Sequence, residues 1–203
     1  FVGTTQLWSP GADLHRTPFS GRNFEYYSED SVLSYLMSAA QTCAMQAKGV
    51  NAAIKHFVGN DQETNRTGLC TFATEQGFRQ NSLKGFEGAF TKGGALGTMM
   101  STNRIGLETM YQNAATCTGV LRDEWGFKGV TITDSVKGDE SVYAVACLVA
   151  GTDTFNADTG RSTELLKYLV KNKDGYVLQE LRRANKNFYY AMAQSNLVNG
   201  LTR

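Results

Sequence analysis

The sequence predicts an α/β fold, an incomplete (β/α)8 TIM-type barrel comprising roughly the last five or six strands and their helices. Three observations predict it. Short apolar runs alternate with longer helical patterns, which implies parallel strands joined by crossover helices. No glycine-rich phosphate fingerprint follows any strand, which counts against an open nucleotide-binding sheet. Polar and charged residues gather just past several strand ends, the face that carries the active site in a barrel.

The elements follow in order. Val2 to Trp8 is the first strand, and an irregular polar loop runs from it to Ser28. Glu29 to Lys48 reads as a helix that Ser28 can cap, with Val32, Leu33, Leu36 and Met37 as an apolar stripe of the kind that packs on a core. Asn51 to Val58 is the second strand. After a polar loop, a helix over Ala73 to Thr91 brings Phe78, Leu83, Phe86 and Phe90 onto neighbouring turns. Ala95 to Ser101 is the third strand, followed by a helix over Glu108 to Trp125 with Met110, Ala114, Cys117 and Leu121 on one side. Gly129 to Thr133 is the fourth strand and Asp139 to Ala150 a helix. Thr152 to Asn156 is the fifth strand, and helices over Ser162–Lys171 and Tyr176–Ser195 follow. Five strands fall short of a closed barrel's eight, so a fragment is expected. The opening FVGTTQLWSPG reads as the inside of a strand rather than a leader, so residues are expected ahead of it.

Composition narrows the function classes. The 203 residues are 41% hydrophobic with 11 Phe and 9 Tyr, enough for one sizeable core, and with only two prolines and no Ser/Gly-rich linker there is no internal boundary. A net charge of +1 leaves no basic stripe for nucleic acid and no acidic tail. The longest apolar stretch, Val142 to Ala150, is too short to span a bilayer, so no membrane partner is expected. Cys43, Cys70, Cys117 and Cys147 are scattered with no metal-ligand spacing. They read as reduced thiols buried as small hydrophobes, in keeping with a cytoplasmic location. Asn65-Arg66-Thr67 fits an N-glycosylation triplet, a pattern common by chance.

Four clusters could carry chemistry. Gly21 to Asp30 packs Arg22, three acids and three aromatics into one loop. A guanidinium beside aromatic rings suits a sugar, whereas Glu29 and Asp30 are explained by the helix start that follows. Lys55 and His56 end an apolar strand. Strand alternation would put them on opposite faces, and a bulge at the strand end could bring both to the mouth. Asn60 to Arg66 is a polar run directly after that strand. Asp134 ends the strand that follows Trp125-Gly126-Phe127-Lys128, a position suited to covalent or acid/base work, or else to capping the next helix.

Together these clusters resemble glycoside hydrolase family 3, the β-glucosidase and β-xylosidase family. The matching segments are HRTPFSGRNFEYYSED (15–30), IKHFVGNDQETNR (54–66), GFEGAF (85–90), STNRIG (101–106), LRDEWGFKGVTITD (121–134) and AGTDTFNAD (150–158). The resemblance implies a retaining exo-β-glycosidase acting on terminal β-D-glucosyl or xylosyl residues of an oligosaccharide or aryl glycoside. Asp134 would be its nucleophile, and Arg22, Lys55, His56 and Arg66 would bind the sugar's hydroxyls. It implies no metal and no organic cofactor. Retaining hydrolysis needs a second group about 5 Å from the nucleophile. In the family's two-domain branch that group is a glutamate on an α/β sandwich domain, which these residues lack. The N-acetylglucosaminidase branch has a histidine after KHF, and VGNDQETNR has none. Glu25, Glu63 and Glu87 receive no acid/base role from the resemblance. Thr102 stands where the family has an aromatic residue, and Ser135 where many members have Trp. The rival reading is a non-catalytic carbohydrate-binding or scaffold protein derived from the same barrel.

Overall fold

In the computed structural model, residues 4–135, 144–156 and 160–199 are described. The strands are β1 (Gln6–Leu7), β2 (Asn51–Phe57), β3 (Cys70–Thr71), β4 (Gly97–Met100), β5 (Arg104–Ile105), β6 (Glu108–Thr109) and β7 (Val130–Thr133). The main helices are α1 (Ser31–Gln46), α2 (Glu75–Gly77), α3 (Lys84–Thr91), α4 (Ala144–Ala150), α5 (Gly160–Lys171), α6 (Gly175–Ala193) and α7 (Asn196–Asn199), with π-helical stretches at Phe78–Leu83 and Ala115–Glu124.

The main sheet runs β1-β2-β4-β7, every pair parallel. Lys55 N donates to Pro10 O and Ala12 N to Lys55 O, which carries the β1 edge past its assigned end. Thr154 adds a parallel bridge to Ile132 beyond β7, so the predicted fifth strand is reduced to one paired residue. Neighbours in the sheet are neighbours along the main run of strands. A doubly wound sheet reverses its order at a switch point, and a barrel wall does not. The small sheet β3-β5-β6 lies in the loops beyond the strand ends and was not foreseen.

The core is aromatic and sits between the sheet and its helices. Phe57 meets Phe86 edge-on at 5.4 Å between centroids, and Phe90 meets Phe127 at 5.1 Å. Leu83, Phe86 and Phe90 are buried as their spacing predicts, and Phe78 packs against them.

Helix α1 departs from expectation on two counts. Its cap is Asp30, whose Oδ1 accepts Val32 N at 2.7 Å and Leu33 N at 3.0 Å, while Ser28 Oγ accepts Asp30 N and donates to Glu29 Oε2. Its apolar stripe also faces outward: Val32, Leu33, Leu36 and Met37 are 56, 46, 58 and 46% exposed. The buried face is Ser34, Ser38 and Thr42, set against the glycines of α3 and the turn after it. A Cβ on Gly88 would come within 2.1 Å of Tyr35 O, and Ser38 Oγ donates to Gly85 O at 2.6 Å. Close backbone approach, rather than large side chains, decides which face turns inward.

The predicted helix from Glu108 begins later. Glu108–Thr109 pairs with Arg104–Ile105, and Asn113 Oδ1 accepts Thr116 N at 3.0 Å, which starts the helix at that point. Met110, Cys117 and Leu121 are nonetheless buried, whereas Ala114 is exposed. The predicted Asp139–Ala150 helix is described only as Ala144–Ala150, and the first residues of the Val2–Trp8 strand also lie outside the described residues. Cys117 and Cys147 are buried free thiols as expected. Cys43 is exposed and Cys70 half-buried, so that reading fails for both. Among the described residues no helix is long and apolar enough to cross a membrane.

Asp153 locks the last elements together. Its fully buried carboxylate accepts Arg122 Nη2 at 2.7 Å, Arg183 Nη1 at 2.6 Å, Asn187 Nδ2 at 3.0 Å and Thr131 N at 2.9 Å. One acid thus ties α6 and the 115–124 helix to β7.

Candidate active site

The candidate residues meet at the C-terminal ends of the main strands. Arg22 and Glu25 lie in the loop after β1, Lys55 and His56 at the end of β2, Glu63 and Arg66 in the loop after β2, and Asp134 directly after β7. The pairing of β2 with β4 shifts register between Ile54 and Phe57, at the place where a bulge was expected, and the Lys55–His56 and Phe57–Val58 peptide bonds are cis. Both basic side chains reach the site. Lys55 Nζ is 2.7 Å from Glu25 Oε2, and His56 Nε2 is 4.0 Å from Asp134 Oδ2.

Asp134 is 8% exposed. Its amide donates to Met100 O, continuing the β4–β7 ladder, and Oδ1 accepts its neighbour Ser135 N at 2.6 Å. Oδ2 accepts no hydrogen bond from the described residues. Arg66 Nη1 stands 3.2 Å from Oδ2, an ion-pair distance without hydrogen-bond alignment.

The cations and carboxylates alternate. Arg22 grips Glu25 at 2.7 Å and reaches Glu63 at 3.4 Å; Arg66 lies 3.3 Å from Glu63 and continues to Asp134. Burial works against the charge on Arg22, but the hydrogen bond and charge of Glu25 outweigh it and raise the guanidinium above its ordinary value. Burial likewise opposes ionisation of Glu25, yet Lys55 and Arg22 hold its carboxyl below the ordinary range.

His56 is 2% exposed, and burial pushes its pKa down to about 2, with Arg22, Lys55 and Arg66 adding to the effect. The imidazole is therefore neutral, and its 4.0 Å approaches to Asp13 and Asp134 are not ion pairs. Its Nδ1 lies 3.3 Å from the Tyr26 hydroxyl.

Asp13 supports the site without having stood out in the sequence, and Asn60, from the polar run after β2, joins it. Asp13, 2% exposed, accepts the backbone amides of His56 at 2.8 Å, Gly59 at 3.1 Å and Asn60 at 2.8 Å. Burial first, then the charge of Asp61, raises its pKa to about 7 against the pull of those amides. Asn60 Nδ2 donates to Tyr26 Oη at 3.2 Å and Glu63 Oε1 at 3.1 Å, joining floor to rim. The signal available was an acid amid the small and apolar residues of Gly11-Ala12-Asp13-Leu14.

The aromatics of 21–30 do not form a stacking platform together. Tyr26 is buried against His56 at the edge (centroids 6.4 Å apart), and Phe24 is 83% exposed. Glu87 pairs with Lys84 on α3, away from the cluster. Thr102 is buried with its hydroxyl unpartnered among the described residues, and Ser135 is exposed. Asn65, in the glycosylation triplet, is exposed with φ 54°.

Comparison with known proteins shows the family and the fold. A β-glucosidase of Ruminococcus albus is 41% identical over 128 residues, covering 63% of this chain and 14% of that protein. β-Glucosidase B of Emericella nidulans is 34% identical over 178 residues, covering 88% of this chain and 21% of that protein. The structure of β-glucosidase 3B from Thermotoga neapolitana in complex with α-D-glucose superposes with a TM-score of 0.86 at 33% identity, over 97% of this chain and 28% of that one. The matched stretch thus spans 14% and 21% of the length of the two β-glucosidase sequences. The model of the glycosyl hydrolase family 3 N-terminal domain matches residues 1–185, and the chain belongs to that family.

Proposed function

We propose that these residues are part of the catalytic barrel of a retaining exo-β-glycosidase, with Asp134 as its nucleophile, acting on terminal β-D-glucosyl or xylosyl residues of an oligosaccharide or aryl glycoside. The observation that carries the reading is Asp134 Oδ2: a carboxylate oxygen at a strand's C-terminal end, accepting no hydrogen bond from the described residues and flanked by a guanidinium and a neutral imidazole.

The chemistry follows from that arrangement. Oδ2 attacks the anomeric carbon from the α face as the C–O bond to the aglycone breaks, forming a glycosyl ester. Water then cleaves the ester with a second inversion, so the β configuration is retained. Arg22, Lys55 and Arg66 present donors for ring hydroxyls, and contacts that tighten as the ring flattens lower the barrier. In this reading the Tyr26 hydroxyl donates to His56 Nδ1, 3.3 Å away, in preference to Asn60 O at 3.5 Å, and the imidazole carries its proton on Nε2, which faces Asp134. The leaving oxygen needs a proton, and a separate α/β sandwich domain supplies the acid in this reading. Glu25 is unsuited to that role because its two cations keep it ionised. The 203 residues alone should therefore hydrolyse little.

The test replaces Asp134 by Gly in the full-length polypeptide and adds azide. Aryl β-glucoside hydrolysis should fall on the order of 10⁴-fold or more. Azide entering the emptied space should restore aryl release and give the α-glycosyl azide. Turnover near the parent's, or a β-azide, would contradict the assignment.

A further inference from the structure

We propose that Glu25 and Glu63 are positioning residues of this site, and that by neutralising its cations they select an uncharged pyranoside over a uronoside. The inference rests on the reading of Arg22, Lys55 and Arg66 as sugar ligands and adds the groups that hold them.

Each glutamate bridges two cations. Glu25 gives Oε1 to Arg22, with Nε at 2.8 Å and Nη2 at 2.7 Å, and Oε2 to Lys55 at 2.7 Å. Glu63 gives Oε1 to Arg22 at 3.4 Å and Oε2 to Arg66 at 3.3 Å. The result is an unbroken series, Lys55–Glu25–Arg22–Glu63–Arg66–Asp134. Arg22, Lys55 and Arg66 carry three positive charges, Glu25, Glu63 and Asp134 three negative ones, and His56 is neutral, so the formal sum is zero.

Two effects follow. Three long basic side chains repel one another and have many rotamers, and a shared carboxylate fixes each pair in one geometry. Such a fork also uses up part of each cation's donor capacity, leaving the remaining N–H groups aimed at hydroxyls. A uronic acid would bring a further carboxylate beside Glu25 and Glu63, where like charges disfavour it and, among the described residues of the series, each cation is already paired. Removing one glutamate frees a cation and weakens that preference.

The experiment uses the full-length polypeptide and two substrates, 4-nitrophenyl β-D-glucopyranoside and its glucuronide. E25Q should lower kcat/KM for the glucoside about tenfold or more while raising the glucuronide-to-glucoside ratio at least about tenfold, one charge pair's worth of discrimination. The gain in ratio should shrink as salt rises, because it is electrostatic. E25D, which keeps the charge, should restore the parent ratio. E63Q should move the ratio in the same direction, and it carries the comparison if E25Q does not fold. A ratio unchanged in both variants while both substrates decline together would overturn the proposal, since loss of structure alone does that. Parent protein that turns over neither substrate would instead overturn the reading beneath it.

Discussion

Arg66 Nη1 stands 3.2 Å from Asp134 Oδ2, although the two residues come from loops after different strands of the sheet. The contact exists because β2, β4 and β7 are adjacent and parallel, so their C-terminal ends open onto one face. Beneath it lies a second layer with no exposed role: Asp13 holds the turn that presents His56, and Asn60 links Tyr26 to Glu63.

Asp13 should give the protein a measurable pH dependence of stability. Its folded pKa of about 7 lies above the ordinary 3.8, so the folded state holds the proton more tightly. Its favourable contribution is complete below about pH 4 and is lost as pH rises through 7. Asp13→Asn keeps the size but turns an amide toward backbone N–H groups, and should cost about 1–3 kcal/mol. Urea unfolding of both proteins between pH 4 and 8 checks this. The advantage of the parent should narrow toward pH 7 and then level off, and a constant gap would exclude Asp13 as the titrating group.

Gly88 and Gly119 should respond oppositely to alanine. At Gly88 the new Cβ would fall 2.1 Å from Tyr35 O, in the α1–α3 contact, so one of the two backbones must move. A loss of about 1–3 kcal/mol is expected. At Gly119, within the 115–124 helix, nothing lies within 4 Å of the added atom. Alanine there should be neutral or stabilising by up to about 1 kcal/mol. Denaturant midpoints of the two variants distinguish these outcomes.

Asp153→Ala should be among the most damaging substitutions away from the site. It leaves Arg122 and Arg183 without their shared carboxylate, and the Thr131 amide without an acceptor. Removing one member of such a buried network costs about 3–5 kcal/mol. Thermal unfolding measures it, and a Tm unchanged from the parent would show that the network contributes little.

Much of this architecture could be read from residue patterns, for identifiable reasons. The buried strand cores and the Leu83–Phe86–Phe90 face follow from apolar periodicity, which burial enforces. Lys55, His56 and Asp134 were visible as polar residues ending apolar runs. Helix α1 misled because periodicity reports where apolar side chains lie, whereas the close glycine backbone of α3 selects a small-residue partner. The late start of the 115–124 helix turned on one Asn113 cap, and the π-helical turns have no apolar signature to separate them from α-helix. Asp13 escaped because a single buried acid has no periodic neighbour, and the bridging by Glu25 and Glu63 depends on two loops meeting in space.

The most direct measurement is covalent trapping. Full-length protein incubated with 2,4-dinitrophenyl 2-deoxy-2-fluoro-β-D-glucoside should lose activity with time and gain the mass of one fluoroglucosyl group. Peptide mapping should place that group on Asp134, with protection by a competing β-glucoside ligand. Label on another carboxylate, or rapid aryl release with no covalent species, would contradict the assignment of Asp134 as the nucleophile.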